Sequence, residues 1–474
     1  MVLFASAIAN GIFQQVITGT FMNTVERRSV FSLAGIYSLR MLGLFLILPV
    51  FALYAENLEG VTPMLIGLAL GAYGLTMALL QIPFGMLSDR IGRKPVITAG
   101  LIIFAIGSVV AAGSHDIWGV IIGRALQGAG AIAAAMMALL ADLTREEIRT
   151  KATAMIGMSI GMSFTVSLIL GPWLDAAIGV NGIFWLTAVL AVAAIVVLHT
   201  AIPTPDHLSI HRDAETVPAQ LGAALRNIEL LRLDAGILVL HAIMTSMFIA
   251  MPFVLRDQLH LPTLHHSWVY LPTLLVAMGI MVPMIIIAEK RKKLKQVFVT
   301  AIALIAISAA LLAWSHSGWV GVISGLLLFF IAYNVLEATL PSLVSRIAPI
   351  DSKGTAMGVY STSQFLGAFV GGAGGGVLLG SYGVTGIFTA CAIGAALWLV
   401  WAIGMVPPVM RSATMLAVHT SLIGEAKSLE VKLLQMEGIS EARIAVDECV
   451  AYLRVDNKIY DQDAAMKLLH SHGK

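Results

Sequence analysis

Gly85-Met86-Leu87-Ser88-Asp89-Arg90-Ile91-Gly92-Arg93-Lys94-Pro95-Val96-Ile97 joins two apolar stretches, each long enough to cross a membrane. Within it Asp89 and Arg90 lie between Gly85 and the turn residue Gly92, and the bases Arg93 and Lys94 follow directly. Charged groups are costly in hydrocarbon, so this stretch belongs at the rim of a bilayer. The two glycines permit close helix approach and a tight turn there.

Outward from this loop the chain is apolar almost throughout. Of 474 residues, 58% are hydrophobic and 12% charged. Soluble domains carry about 25% charged residues, so the composition points to lipid as solvent. A helix through a hydrocarbon core needs about 20 apolar residues, and twelve such runs recur. They fall at 31–54, 64–86, 96–113, 117–141, 152–175, 182–201, 236–255, 267–288, 297–314, 319–345, 355–380 and 384–405. Net charge is only +2, but the bases cluster in alternate loops, among them Arg27/Arg28, Arg145/Arg149/Lys151 and Lys290 to Lys295. The opposite loops offer Glu56, Glu59, Asp116, Asp257 and a single base, Arg256. Basic loops are retained in the cytoplasm, which predicts cytoplasmic N- and C-termini in an inner (plasma) membrane. Two cysteines, Cys391 and Cys449, and no Cys/His pairing at ligand spacing argue against a disulfide, metal or cofactor.

Residues 1–21 precede Met22-Asn23-Thr24-Val25-Glu26, which reads like a natural start, so they are expected to be an upstream extension or a loosely held interfacial segment. A thirteenth span is opposed by Asn10, Gln14 and Gln15. The remainder divides into a six-span bundle at 22–202, a charged linker at 203–235, a second bundle at 236–406 and a tail at 411–474. Helical spacing over Val217–Leu231 predicts an amphipathic surface helix in the linker. Ala288-Glu289-Lys290-Arg291-Lys292-Lys293-Leu294-Lys295 echoes the Asp89 loop in its acid-then-bases order while losing both glycines. Beyond Pro407-Pro408 the pattern reads strand (412–418), helix (421–436), strand (439–446), strand (449–455), helix (461–471). That βαββα order predicts a small ferredoxin-like module. It has no Cys-x-x-Cys loop and a balanced charge, which argues against metal or nucleic-acid binding and leaves a docking appendage or a small-ligand sensor.

The order Gly-x-Leu-small-Asp-Arg-x-Gly-Arg-Lys at 85–94 resembles the loop between transmembrane helices 2 and 3 in the major facilitator superfamily of secondary transporters. The resemblance implies an all-α polytopic fold of twelve helices in two six-helix halves, here with the appended α+β module. It also implies that Asp89 meets the N-terminal end of span 11 near Gly354, and that Arg93 pairs with Asp142. Such contacts form only while the cytoplasmic side is shut, so the loop acts as a conformational clasp. Arg124-Ala125-Leu126-Gln127-Gly128 resembles the Arg-x-x-Gln-Gly signature of helix 4, linked to proton transfer or substrate-site electrostatics. Gly161 and Gly171-Pro172 resemble part of the helix 5 run of drug–proton antiporters, although Trp173-Leu174-Asp175-Ala176 replaces its closing glycines.

Four ionisable groups lie well inside spans: Arg40, Arg124, His241 and Glu337, in spans 1, 4, 7 and 10. These are the helices that line the central cavity in the superfamily, so the four are expected to share a water-accessible path. Glu337 and His241 are the groups able to exchange a proton there, whereas an arginine does not release its own. The combined reading is a proton-coupled transporter, monomeric by family habit, that exports small amphipathic compounds at the expense of the proton gradient. A nutrient symporter or uniporter on the same fold stays open, as does a membrane sensor signalling through the C-terminal module. No nucleophile, metal set or cofactor loop supports an enzyme.

Overall fold

The structure is a computed structural model that describes residues 22–204, 218–349, 352–405, 412–418, 426–446, 450–456 and 459–470. The 1–21 extension, the centre of the linker, the first turn of the helix expected from 421 and Cys449 lie outside the described residues.

The first half opens with α1 (Thr24–Phe45), started by a reciprocal cap in which the Asn23 side chain accepts from the Glu26 amide and Glu26 accepts from the Asn23 amide. It continues through a turn into the short α2 (Phe51–Ala55). Then come α3 (Pro63–Ile91), capped by Thr62 with proline in its first turn, and α4 (Arg93–Gly113). The fourth pass is α5 (Ile117–Ala129) and α6 (Ala133–Asp142), broken at Gly130–Ile132. Passes five and six form one element, α7 (Glu146–Ala201), sharply turned at Gly179.

After the linker helix α8 (Pro218–Ala224), the second half repeats this plan. It comprises α9 (Ile228–Phe253), α10 (Ser267–Lys290), α11 (Leu294–Ser315), α12 (Trp319–Ile347) and α13 (Lys353–Ile403), the last turned at Gly383. The two turns are equivalent, with φ/ψ of 68°/170° at Gly179 and 64°/−164° at Gly383. That backbone region is essentially restricted to glycine, so the same hinge residue joins the last two passes of each half. Twelve passes result among the described residues, as the sequence predicts. The parallel repeat extends to the basic loops: Gly92 has φ of 100° between α3 and α4, and Lys292 has φ of 54° between α10 and α11. The glycine lost from the echo is therefore replaced by a lysine holding a left-handed turn, at a cost of about 1 kcal/mol.

The linker departs from expectation. The Val217–Leu231 periodicity does not form one helix: α8 ends, and α9 begins at Ile228 behind an Asn227 cap whose side chain accepts from the Glu229 and Leu230 amides. The cap, a better helix signal than the continuing apolar spacing, sets the boundary.

The tail folds as the βαββα order predicts: β1 (Ser412–Ala417), α14 (Ala426–Leu434), β2 (Ile439–Ala445), β3 (Val450–Val455) and α15 (Gln462–His470). Its sheet order is β1-β3-β2, antiparallel throughout, with Ser412 and Ile439 both opposite Val455. Leu429, Leu433, Leu453, Ala465 and Leu469 form its separate core. The tail meets the membrane unit through Arg454, whose Nη2 donates to the Ala348 carbonyl at the end of α12, 2.6 Å away.

Candidate functional site: two polar clusters and their gates

On the face carrying the basic loops, Gly92 turns the chain so that Arg93 folds back under α3. Its guanidinium donates to Asp142 Oδ2 and Ser88 Oγ, both at 3.0 Å, and pairs with Asp89. Arg93 is 2% exposed, so the acid at each side compensates a charge that burial alone would penalise. The pairing of Arg93 with Asp142 is the one the family resemblance implies, but both residues belong to the first half, so the pair does not depend on the cytoplasmic side being shut as expected. Asp89 turns to Arg93 and makes no hydrogen bond to α13 among the described residues. A Cβ on Gly85 would stand 3.0 Å from Ala134 Cβ, which explains the small residue where α3 crosses α6. Arg90 lies in the last turn of α3, where a cation suits the carbonyl end of a helix. Lys94 Nζ donates to the Ile202 carbonyl at 2.6 Å and ties down the end of the sixth pass.

The corresponding corner of the second half has the same brace with its signs reversed. Glu289 lies at the end of α10 and receives Arg346 Nη2 from the end of α12 at 2.7 Å. An acid at the loop and a base at the fourth helix of the half replace the base and acid of the first.

Inside the first half, the Gly130 carbonyl at the break accepts from the Ile132 amide at 3.0 Å and also from Arg40. Its Nη2 donates to Gly130 O at 3.2 Å and Tyr73 Oη at 3.0 Å, and the guanidinium lies 5.8 Å from the Phe104 ring centre. Tyr37, one turn earlier on α1, donates to Ala133 O on the other side of the break. Arg124 Nη1 donates to Gln127 Oε1 at 2.8 Å, Gln127 Nε2 donates to Ser108 Oγ at 2.8 Å, and the Arg124 guanidinium sits 5.1 Å from the Tyr73 ring centre. Both arginines are 1% exposed, and the groups that accept from them are carbonyls, a tyrosine hydroxyl, a thioether and an amide, none of them an acid.

Inside the second half, Gln364 of α13 bridges the two proton-exchanging candidates. Its Nε2 lies 2.8 Å from His241 Nε2 on α9 and donates to Glu337 Oε1 on α12 at 3.3 Å. Glu337 Oε2 stands 3.9 Å from His241 Nε2 with no hydrogen bond of its own. Tyr333, one turn away on α12, packs against the His241 ring at 6.1 Å between centres.

The halves meet along α3 and α13, where glycines bring the two backbones into direct contact beside side-chain pairs such as Tyr73 with Phe365, 6.3 Å between ring centres. A Cβ on Gly67 would overlap the Gly372 carbonyl oxygen, and one on Gly376 would stand 2.6 Å from Pro63 O. Toward the basic face Gln81 Nε2 donates to Thr362 Oγ1 at 2.8 Å. At the centre Phe164 of α7 packs edge-on against Phe248 of α9 and near Tyr333. On the face opposite the basic loops Arg256 reaches Glu56 across the halves at 2.5 Å. Of the helix 5 residues, Gly171 lies against the Leu46 carbonyl, where a Cβ would stand 2.5 Å away, Pro172 sits within α7, and Gly161 O accepts from Thr165 Oγ1. The Gly171 contact packs α7 closely on the chain that leaves α1.

The four ionisable groups expected to converge thus form two clusters, Arg40 with Arg124 and His241 with Glu337. No hydrogen bond or ion pair joins the clusters among the described residues. Each is held within its own half because broken helices and amides there offer nearer partners. Tyr73 and Gln364, the residues that organise the two clusters, do not emerge from the sequence pattern as site residues. Gln364 does carry a signal, a polar amide within an apolar span, but the glycines around it point to packing.

The sequence profile described as Major Facilitator Superfamily matches residues 33–372. The chain is 46% identical to the inner membrane transport protein YajR of Escherichia coli over 92% of its own length and 96% of that protein. It is 25% identical to the multidrug resistance protein MdtH of Aeromonas salmonicida over 71% of this chain and 84% of that one. The fold is shared with a bacterial homologue of the human lysosomal transporter Spinster, at a TM-score of 0.66, 13% identity and coverage of 81% of this chain and 98% of that one. Fold, relatives and profile agree: this is a multi-pass membrane transporter, not an enzyme, and the chain belongs to the Major Facilitator Superfamily.

Proposed function

We propose that the protein is a proton-coupled exporter of small amphipathic compounds working by alternating access. The observation that carries this reading is Gln364 holding His241 and Glu337 within one hydrogen-bonded unit at the junction of α9, α12 and α13. The amide fixes both groups without neutralising either, so a proton arriving on Glu337 or His241 changes the charge of the unit and the 3.9 Å contact between them.

An electrostatic asymmetry turns that proton into motion. The first half buries two guanidiniums, Arg40 and Arg124, and the second holds the carboxyls of the half-buried Glu337 and the buried Asp234. In a low-dielectric interior these opposite charges attract across the junction. Protonating Glu337 removes part of the attraction and lets the halves rock. Each proton driven by 100 mV contributes about 2.3 kcal/mol, sufficient to bias two conformations.

The basic face is assigned to the cytoplasm by the positive-inside rule, in an inner membrane. Arg256–Glu56 and the α3–α13 glycines then close the outer side in the state described here. In the alternate state Asp89 leaves Arg93 for the N-terminal end of α13 and clasps the cytoplasmic side. Export is supported by the partial helix 5 motif and the likeness to MdtH, whose name records multidrug resistance. Aromatic contacts at the junction, from Phe164, Phe248 and Tyr333, suit an apolar, ring-bearing substrate as a monomer's single path opens.

The test uses inverted proteoliposomes with an imposed pH gradient and ethidium as probe. Ethidium addition should dissipate the gradient with wild-type protein and leave it intact with Glu337→Gln. Ethidium movement down the direction of proton flow, or normal coupling in Glu337→Gln, overturns the reading.

A further inference from the structure

Glu337 Oε2, Tyr360 Oη and Asp234 Oδ1, all in the second half, are buried without a hydrogen-bond partner. Asp234 is 5% exposed and Tyr360 3%. Unpaired polar groups of this kind are costly in a protein interior, and three on converging helices call for a common explanation.

They lie in order of depth. Counting along each helix from its cytoplasmic end at 1.5 Å per residue, Asp234 on α9 is about 9 Å in, Tyr360 on α13 about 10 Å, Glu337 on α12 about 15 Å, and His241 on α9 about 20 Å. Tyr360 lies four residues before Gln364 on α13 and Asp234 seven before His241 on α9, so each stands on the same helix face as a member of the hydrogen-bonded unit and one or two turns nearer the basic face. No ion pair to Asp234 forms among the described residues: Arg232 Nη1 donates to Glu229 at 2.7 Å and to Gly404 O at 2.9 Å while its Nε has no hydrogen-bond partner, and Arg346 is paired with Glu289. The groups facing Glu337 are His241 from α9, Gln364 and Tyr360 from α13, and Tyr333 from its own helix.

We propose that Tyr360 and Asp234 form the cytoplasmic leg of the proton path, taking the proton from Glu337 to the cytoplasm. This rests on Glu337 being the coupling residue. The Glu337 carboxyl gives its proton toward the Tyr360 oxygen as that hydroxyl releases its own to the Asp234 carboxylate, directly or through bridging water. Asp234 then sheds it to the cytoplasm, and Tyr360 turns back with its hydroxyl restored. One proton is transferred net: the Glu337 and Tyr360 O–H bonds break as new O–H bonds form at Tyr360 and Asp234, and no other bond changes. A hydroxyl is suited to this step because it donates and accepts at the same atom.

The experiment follows the carboxyl band of Glu337 by infrared difference spectroscopy after a pH jump, using the full chain in liposomes. Glu337→Gln identifies the Glu337 signal. In Asp234→Asn and in Tyr360→Phe that signal should reach its wild-type amplitude but at least about tenfold more slowly, in keeping with the loss of a proton-transferring group. Asp234→Glu should restore the rate, which a merely structural role would not do. Wild-type rates in both variants overturn the route while leaving Glu337 in place. If Glu337→Gln removes no signal, the coupling role of Glu337 itself falls, and the route with it. Should Asp234→Asn not fold, Tyr360→Phe and Asp234→Glu decide the route in the same way: a slow Tyr360→Phe beside a fast Asp234→Glu supports it, and a wild-type rate in Tyr360→Phe overturns it.

Discussion

Arg256 and Glu56, residues of opposite halves, are joined at 2.5 Å on the face away from the basic loops. Arg256 also binds both oxygens of its neighbour Asp257 and lies 5.4 Å from the Phe253 ring centre, so its geometry is held before Glu56 arrives. Exposed pairs contribute about 0.2–1 kcal/mol, and this one is prepositioned but over a third exposed. Glu56→Gln should therefore shift the balance toward the outward-open state by roughly three- to fivefold, about 1 kcal/mol or less. Double electron–electron resonance between spin labels on the two outer rims measures it, and an unchanged distance distribution contradicts a gating role.

The brace under α3 should matter more to stability than its counterpart. Among the described residues Asp142→Asn leaves the almost wholly buried Arg93 with Asp89 as its remaining acid, and we expect a loss of about 1.5–3 kcal/mol, the worth of a buried hydrogen bond to a charged group. Glu289→Gln, whose partner Arg346 is more accessible, should cost less. Thermal unfolding of the two variants in the same detergent compares them.

Where α3 meets α13, one added methyl should be decisive. A Cβ on Gly372 would stand 2.6 Å from Gly67 O, a backbone atom that cannot swing aside, whereas one on Gly374 would meet nothing within 4 Å. Gly372→Ala should push the halves apart and raise labelling of outer-rim cysteines several-fold, while Gly374→Ala should match wild type.

Acid should dissolve a different contact. Glu26 lies ahead of the first apolar stretch and accepts from Arg145 Nε at 2.8 Å, with further bonds from Arg145 Nη2 and the Arg145 amide. That guanidinium holds the carboxyl far below its ordinary value of 4.5, at about 2. A depressed carboxyl stabilises the fold fully above its ordinary value and loses that contribution as pH falls toward the folded value. The stability gap between wild type and Glu26→Gln should be present at pH 7, shrink below pH 4.5 and close near pH 2. A gap that persists at the lowest pH contradicts the assignment.

Much of this molecule is legible from residue order because lipid leaves few choices. Twelve apolar runs, the Asp89 loop and the βαββα tail are each written as local pattern, and each forms. The Arg93–Asp142 pair is readable only through a family likeness, since nothing in spacing brings position 93 to 142. The gathering of Arg40 with Tyr73, and of His241 with Glu337 through Gln364, depends on which helices are neighbours and how they are rotated. Hydropathy sets neither, because every face of these helices is apolar enough to bury. The lone base of the loops opposite the basic ones, Arg256, stands out in the charge pattern, yet its partner Glu56, far earlier in the chain, does not.

The Gly67–Gly372 and Pro63–Gly376 contacts have one more consequence. Two surfaces made of bare main chain carry no rotamers to freeze when they come together and none to release when they part. These main-chain contacts therefore add little entropic drag to a movement of one half against the other, in contrast to the Gln81–Thr362 and Phe164–Phe248 side-chain contacts beside them.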